Sequence, residues 1–368
     1  TSEGLDARAF SFGNNDGNSL TMTGNIITEG YAAEGIKLFP GVTNANINMI
    51  GNITTSGSDR IYPAYGIALE NSDFNITTMT GNIITTGTAS MGILLKEGSD
   101  SNTINLTGNI STSGIDAHTV DILGSNDNTT SITGNISTTG VDADAVRISG
   151  GDRNTLNVVG DISATNGGGF YIDLSDENTI NVTGNTTVGG SSDSAFDINQ
   201  SNSNTLSITG DVTTSAGSSH GFEFGSSDSN SITMTGDINT AGDNSNGFDL
   251  WSSDSNTILM TGNITTTGLN QAKGIYLSDS NNNNFTINGN ITTSGTDGNS
   301  EPILLNNSDS NNFILSTVVH SLGGDQAIAV DANSQNNTFT FKRGVSFIGG
   351  LENNGGTTNK LIFDMGKA

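Results

Sequence analysis

Apolar residues alternate with polar ones in short bursts along this chain, and the bursts return at a fixed distance. In "NTILMTGNITTTG" (256–268) the apolar places are held by Ile258, Met260 and Ile264, and in "NTINLTGNISTSG" (102–114) by Ile104, Leu106 and Ile110. A spacing of two is the period of a strand; a helix needs three and four. With the glycine of each "TGN"-like phrase as zero, the register points are Gly24, Gly51, Gly81, Gly108, Gly134, Gly160, Gly184, Gly210, Gly236, Gly262 and Gly289. Successive intervals run from 24 to 30 residues, most often 26. Self-similarity at such a period marks a solenoid.

Each repeat carries three apolar bursts: two positions just before zero, an isoleucine just after it, and a pair farther upstream such as Phe222 and Phe224 or Ile275 and Leu277. Three short strands per turn follow, each with one apolar face. The expected fold is all-β: a single parallel β-solenoid, taken as right-handed, with about thirteen turns of about 26 residues over 1–343. Residues 344–368 are expected to form an irregular C-terminal cap or docking segment. The column four after zero, with Thr55, Thr112 and Thr266 but also Ala164 and Val188, is expected to face inward. Asparagine six before zero (Asn102, Asn128, Asn256) and Asn or Asp one after it (Asn109, Asp161) fit structural ladders at the corners.

An aspartate recurs eight before zero, as in Asp73, Asp100, Asp228 and Asp254. Stacked carboxylates repel, and calcium would relieve the repulsion, since hard cations prefer oxygen ligands. The other reading is a turn carboxylate that caps backbone amides. Breaks at Thr43, Asn126, Asn202 and Asn281, and the absence of the G-G-x-G-x-D calcium phrase, favour capping.

Composition narrows the function classes. Net charge is −26, from 37 acids and 11 bases. Bulk electrostatics therefore oppose binding to nucleic acid or to an anionic membrane. With no cysteine, disulfides and thiolate zinc sites are excluded. No apolar run reaches the roughly 18 residues of a spanning helix, so no membrane insertion is expected in this segment. Ser219-His220-Gly221 is similar to the G/S-H-G element of polygalacturonases, but Asp-Asp and R-I-K are lacking, and the few bases are scattered over different turns. His220 reads as an exposed loop residue, and His118 and His320 show no evident partner. No catalytic residue, cofactor or metal ligand is expected. Exposed Thr-x-Thr pairs such as Thr265 and Thr267 raise ice binding, against which Glu29, Gly189, Asn239 and Ala241 break the array.

The repeated "NTI-x-(M/L)-TGNI(T/S)T(T/S)G" and "G(I/F)-x-L" phrases, the lack of cysteine and the closing "NKLIFDMG" (359–366) resemble the pertactin-like passenger domains of bacterial autotransporters and related surface adhesins. The resemblance covers nearly the whole chain and implies a secreted protein on the outer surface of a Gram-negative cell. No outer-membrane barrel follows the repeats in this sequence, so the expectation is that the barrel has been cleaved or omitted, or that export uses another route.

The leading expectation is thus a non-enzymatic structural or adhesive surface rod. The alternative is a filament subunit stacking head to tail through open solenoid ends, with ice binding and polysaccharide processing as remote readings. Partners would be the chain itself or surface ligands of a host or the environment. The longest interval holds "GSDRIYPAYG" (57–66), so Arg60, Tyr62 and Tyr65 are contact-loop candidates. The base-rich end offers Lys342, Arg343, Lys360 and Lys367 for end docking.

Overall fold

The structure is a computed structural model that describes residues 2–3, 8–13, 16–57, 60–324, 326–364 and 366. The chain divides into two compact units, Thr1–Gly184 and Asn185–Ala368. Each unit is a parallel β-solenoid, and among the described residues each contains three sheets of seven strands. Every turn contributes one strand to each sheet. In one turn of the first unit these are Thr103–Thr107 in the third sheet, Ile110–Thr112 in the first and Val120–Leu123 in the second. The all-β coil with its repeat of about 26 residues is therefore present as expected.

Register explains why the phrases repeat. Ile110 pairs with Ile83 on one side and Ile136 on the other, so like residues lie in columns. These isoleucines are buried, as are Ile104, Leu106, Val120 and Ile122 of the same turn. Burying each large side chain stabilises by roughly 1.5–3 kcal/mol, which a narrow core needs in a chain so rich in Asn, Ser, Thr and Gly. In the second unit the upstream pair carries aromatic rings. Phe196, Phe222 and Phe248 stack with centroids 4.8 and 4.9 Å apart, close to the strand spacing itself. The Thr column is buried as expected, and its hydroxyls also tie down the following loop: Thr112 Oγ1 donates to the Ala117 carbonyl at 2.7 Å.

Corners are made by side-chain ladders. Asn102 donates its backbone N–H (2.8 Å) and its amide (3.2 Å) to Asn128 Oδ1 in the next turn. Asn109 N–H bonds back to Asn82 Oδ1 at 2.8 Å. A serine ladder, absent from the sequence expectations, runs beside them: Ser99 N–H donates to Ser125 Oγ at 3.1 Å and Ser227 N–H to Ser253 Oγ at 3.0 Å. The zero glycine is required. Gly108 has φ +149°, and a Cβ there would collide with the Gly81 carbonyl.

The aspartate column caps amides. Asp73 Oδ1 accepts the Asp100 N–H at 2.9 Å, and Asp228 Oδ1 accepts the Asp254 N–H at 2.7 Å. Asn126 does the same for the Asp152 N–H at 2.9 Å, which explains why asparagine can interrupt the series. Among the described residues no three His, Asp or Glu side chains converge as a metal site.

Within 344–368, strands Ser346–Ile348, Gly350–Asn353 and Lys360–Asp364 pair in parallel with the preceding turn of the second unit. Lys342 Nζ bonds Asp364 Oδ2 at 2.7 Å and holds that carboxyl below the usual carboxylate range, while Arg343 and Lys360 are exposed. Lys367 lies outside the described residues. No helix among the described residues is long and apolar enough to cross a membrane.

Candidate functional site

Many outward positions of the first and third sheets hold small polar groups, such as Ser111, Ser137 and Ser163, or Asn105, Ser131 and Asn157, with exposed apolar residues such as Ile84 and Leu259 among them. The second sheet differs. Strand alternation sends every second residue of each strand outward, and stacking places the outward residues of neighbouring turns side by side. In the first unit Asp121, Arg147 and Tyr171 are in register. In the second unit Asp197, Glu223, Asp249 and Tyr276 are in register. The loop entering each strand adds a second column: His118 and Asp144 in the first unit, His220, Asn246 and Lys273 in the second.

In the first unit this cluster is closed. Arg147 grips Asp121 with two bonds, Nε to Oδ1 at 2.8 Å and Nη2 to Oδ2 at 2.7 Å. The Asp121 side chain is fully buried. Burial pushes its carboxyl up, and the guanidinium opposes that shift and is itself held protonated. His118 is buried, accepts the Asp144 N–H on Nδ1 at 2.9 Å and lies 3.4 Å from Asp144 Oδ2. Burial, and then the nearby Arg147 charge, lower its pKa to about 3, so it is neutral.

In the second unit the arrangement is open. His220 Nδ1 accepts the Asn246 N–H at 3.0 Å, which leaves the ring proton on Nε2. The same Nδ1 lies 3.5 Å from Asp249 Oδ2, and both side chains keep a little over a tenth of their surface exposed. Burial raises the Asp249 pKa; His220, the Asn246 amide at 2.7 Å and Lys273 oppose that shift, and Glu223 adds to it. Glu223 is anchored by the Ser194 hydroxyl, which donates to Oε2 at 2.8 Å. Lys273 Nζ sits 5.3 Å from the Tyr276 ring centroid. A carboxyl biased toward protonation, a second carboxylate, an imidazole, a phenol and an ammonium thus meet within three turns. That set can donate and accept protons and orient a hydroxylated ligand.

The contact-loop candidates sit at another place on the first unit. Tyr62 is half exposed, Tyr65 is largely covered, and with Arg8, Glu34, Lys37 and Lys96 they line a depression of about 280 Å³. Its charges alternate and pair: Arg8 with Glu34 at 2.7 Å, Lys37 with Glu34 at 3.1 Å and Glu70 at 2.8 Å, and Lys96 with Glu70. Burial works to raise the Glu70 carboxyl, but hydrogen bonds from Lys37 and Lys96 prevail and lower it. Burial pushes the Tyr65 hydroxyl up to about 12. Arg60 reaches Asp116 in an ion pair. These residues hold one another.

Two expectations need correction. His220 is not an exposed loop residue, and His118 has partners. The reason is geometric: groups one turn apart in sequence are strand neighbours in space, so bases scattered over different turns are not scattered in the fold. The chain has no Asp-Asp, but the solenoid sets Glu223 beside Asp249 on neighbouring strands. A search for polar residues one period apart finds His118 with Asp144, Asp121 with Arg147, and Glu223 with Asp249. His320 sits on an outward position of Val318–Ser321, beside Thr292.

No protein-family model matches the sequence, and no curated protein matches it either. Among solved structures, the chain is similar to the A-module of the mannuronan C-5 epimerase AlgE4 from Azotobacter vinelandii, at 12% identity and a TM-score of 0.36, over 89% of this chain and 90% of that one. That similarity transfers no residue role. The expectation of a non-enzymatic rod stands against this finding, since the similar protein is a module of a mannuronan epimerase.

Proposed function

We propose that the chain cleaves a polysaccharide by general acid–base catalysis on the outer face of the second sheet of its second unit. One juxtaposition supports this reading: Glu223 and Asp249 stand in register on neighbouring strands, with His220 Nδ1 3.5 Å from Asp249. Neighbouring strands lie about 4.8 Å apart, near the roughly 5–5.5 Å carboxyl separation of retaining glycosidases. Asp249, biased toward its protonated form, gives its proton to the glycosidic oxygen as the anomeric C–O bond breaks. Glu223 attacks the anomeric carbon. Water, losing its proton to Asp249, then displaces Glu223 with net retention. Tyr276 and Lys273 supply hydrogen bonds to sugar hydroxyls.

The test is a panel of neutral, amino and uronate polymers, mannuronan among them, followed by reducing-end release and by NMR of the first-formed anomer. Cleavage with retention is expected. Inversion, unsaturated products alone, or no cleavage of any polymer would refute the mechanism.

We also propose export to the cell surface in the manner of autotransporter passengers; the repeated phrases and the lack of cysteine support it. Protease digestion of intact producing cells should remove the protein; full protection would refute export.

A further inference from the structure

Trp251 is the only tryptophan of the chain, and it stands at the end of strand Phe248–Trp251, two residues after Asp249 and on the same side of the sheet. It is 44% exposed. Its neighbour in register is Gly225, and a Cβ on Gly225 would run into the indole. The indole therefore rests on the Gly225 backbone, which explains why that glycine is buried at an outward position. The same column continues with Asn199 on one side and Ser278 on the other. A single exposed aromatic needs no explanation by itself. This one is fitted into a gap in a row of polar residues, beside the acid–base group.

We infer that Trp251 is a stacking platform for a neutral pyranose ring, and that it sets where a glycan lies against Glu223 and Asp249. The inference rests on the proposed function and deepens it. A pyranose has an apolar C–H face and a rim of hydroxyls; an indole answers the first, and Asn199, Ser278, Glu223 and Tyr276 answer the second. Charge selects the class. Asp197 and Glu223 outnumber Lys273 on this face, within a chain of net charge −26. A polyuronate would meet like charge, and a neutral glycan would not. Trp251 is a positioning residue and takes no part in bond breaking.

The single tryptophan gives a direct readout. Titration with neutral hexasaccharides of glucose, xylose and mannose should change its emission saturably for at least one of them, whereas mannuronate hexamer should not. Trp251→Ala should raise KM about tenfold with kcat nearly unchanged, and Trp251→Phe should recover part of the loss. Gly225→Ser, which keeps the indole but lifts it, should weaken binding by emission even if Trp251→Ala folds poorly. Turnover with unchanged KM in Trp251→Ala, or emission that follows mannuronate and no neutral sugar, overturns the platform. A saturable response to a neutral sugar in a protein that cleaves nothing keeps the platform and overturns the catalytic reading. Silence in both assays overturns both.

Discussion

His118 and His220 occupy the same position in the repeat. So do Asp121 and Glu223, Asp144 and Asn246, and Tyr171 and Tyr276. At the register position where the second unit has Asp249, the first has Arg147, and this difference decides what each group can do. Arg147 consumes Asp121 in a two-bond pair, and the buried histidine beside it stays neutral. Asp249 offers no such clamp to Glu223, and the two acids face each other across neighbouring strands. One constellation is thus a fastener, and the other leaves its two acids unclamped, as the proposed catalysis requires, although both stand on the same scaffold.

Removing the clamp should have the largest effect on stability. Arg147→Ala strands a carboxylate whose side chain is fully buried, and urea unfolding should show a loss of about 3–5 kcal/mol. An unchanged midpoint would mean that the first unit's pair holds nothing together. Asp249→Asn should leave unfolding nearly unaltered and slow polysaccharide cleavage by at least about a hundredfold, or roughly 3 kcal/mol in the barrier. Asp121→Asn should do the opposite, lowering stability and sparing turnover. If Asp121→Asn abolished cleavage instead, the roles of the two units would be reversed.

pH sharpens the contrast further. His118 is neutral in the native state down to about pH 3, whereas an unfolded histidine protonates near pH 6.5. Between these values the unfolded chain binds a proton that the folded chain does not. The His118 contribution is therefore complete above about pH 6.5 and is lost on acidification, with a slope of about 1.4 kcal/mol per pH unit. Urea midpoints of His118→Gln from pH 7 to pH 4 should lack that component of the slope; equal slopes in both proteins would sink it. The smallest effect is expected at Arg153. It grips Asp127 with the same two-bond geometry, at 2.7 and 2.9 Å and one turn apart, but both side chains are about half exposed. Arg153→Ala should leave Tm almost unmoved, and a marked drop would show that burial is not what separates the two pairs.

Much of the scaffold was legible in the letters. Alternating Ile258, Met260 and Ile264 revealed strands, and the recurring glycine revealed the turn length. Asn102 and Asn109 declared their corners because an amide ladder needs the same side chain in every layer. The serine ladder was harder to see, since serine is common throughout the chain and Gly151 interrupts the row. The charged outer face of the second sheet was missed for a different reason. Its members differ from turn to turn, so they leave no repeated phrase, and a reading that looks for repetition discards them as variation. His220 looked solitary because Asp249 is 29 residues away in sequence.

By itself, then, the sequence determined the period, the strand faces and the residues of the core, because each layer must present the same apolar side chain to the one before it. Only the tertiary structure decided which of the varied outward residues become partners. That depends on strand spacing and register, which bring a histidine, two acids and an indole from separate turns onto one surface. The structure also decided how deeply each is covered: Asp121 is a fully buried anchor, whereas Asp249 keeps a little over a tenth of its side chain exposed.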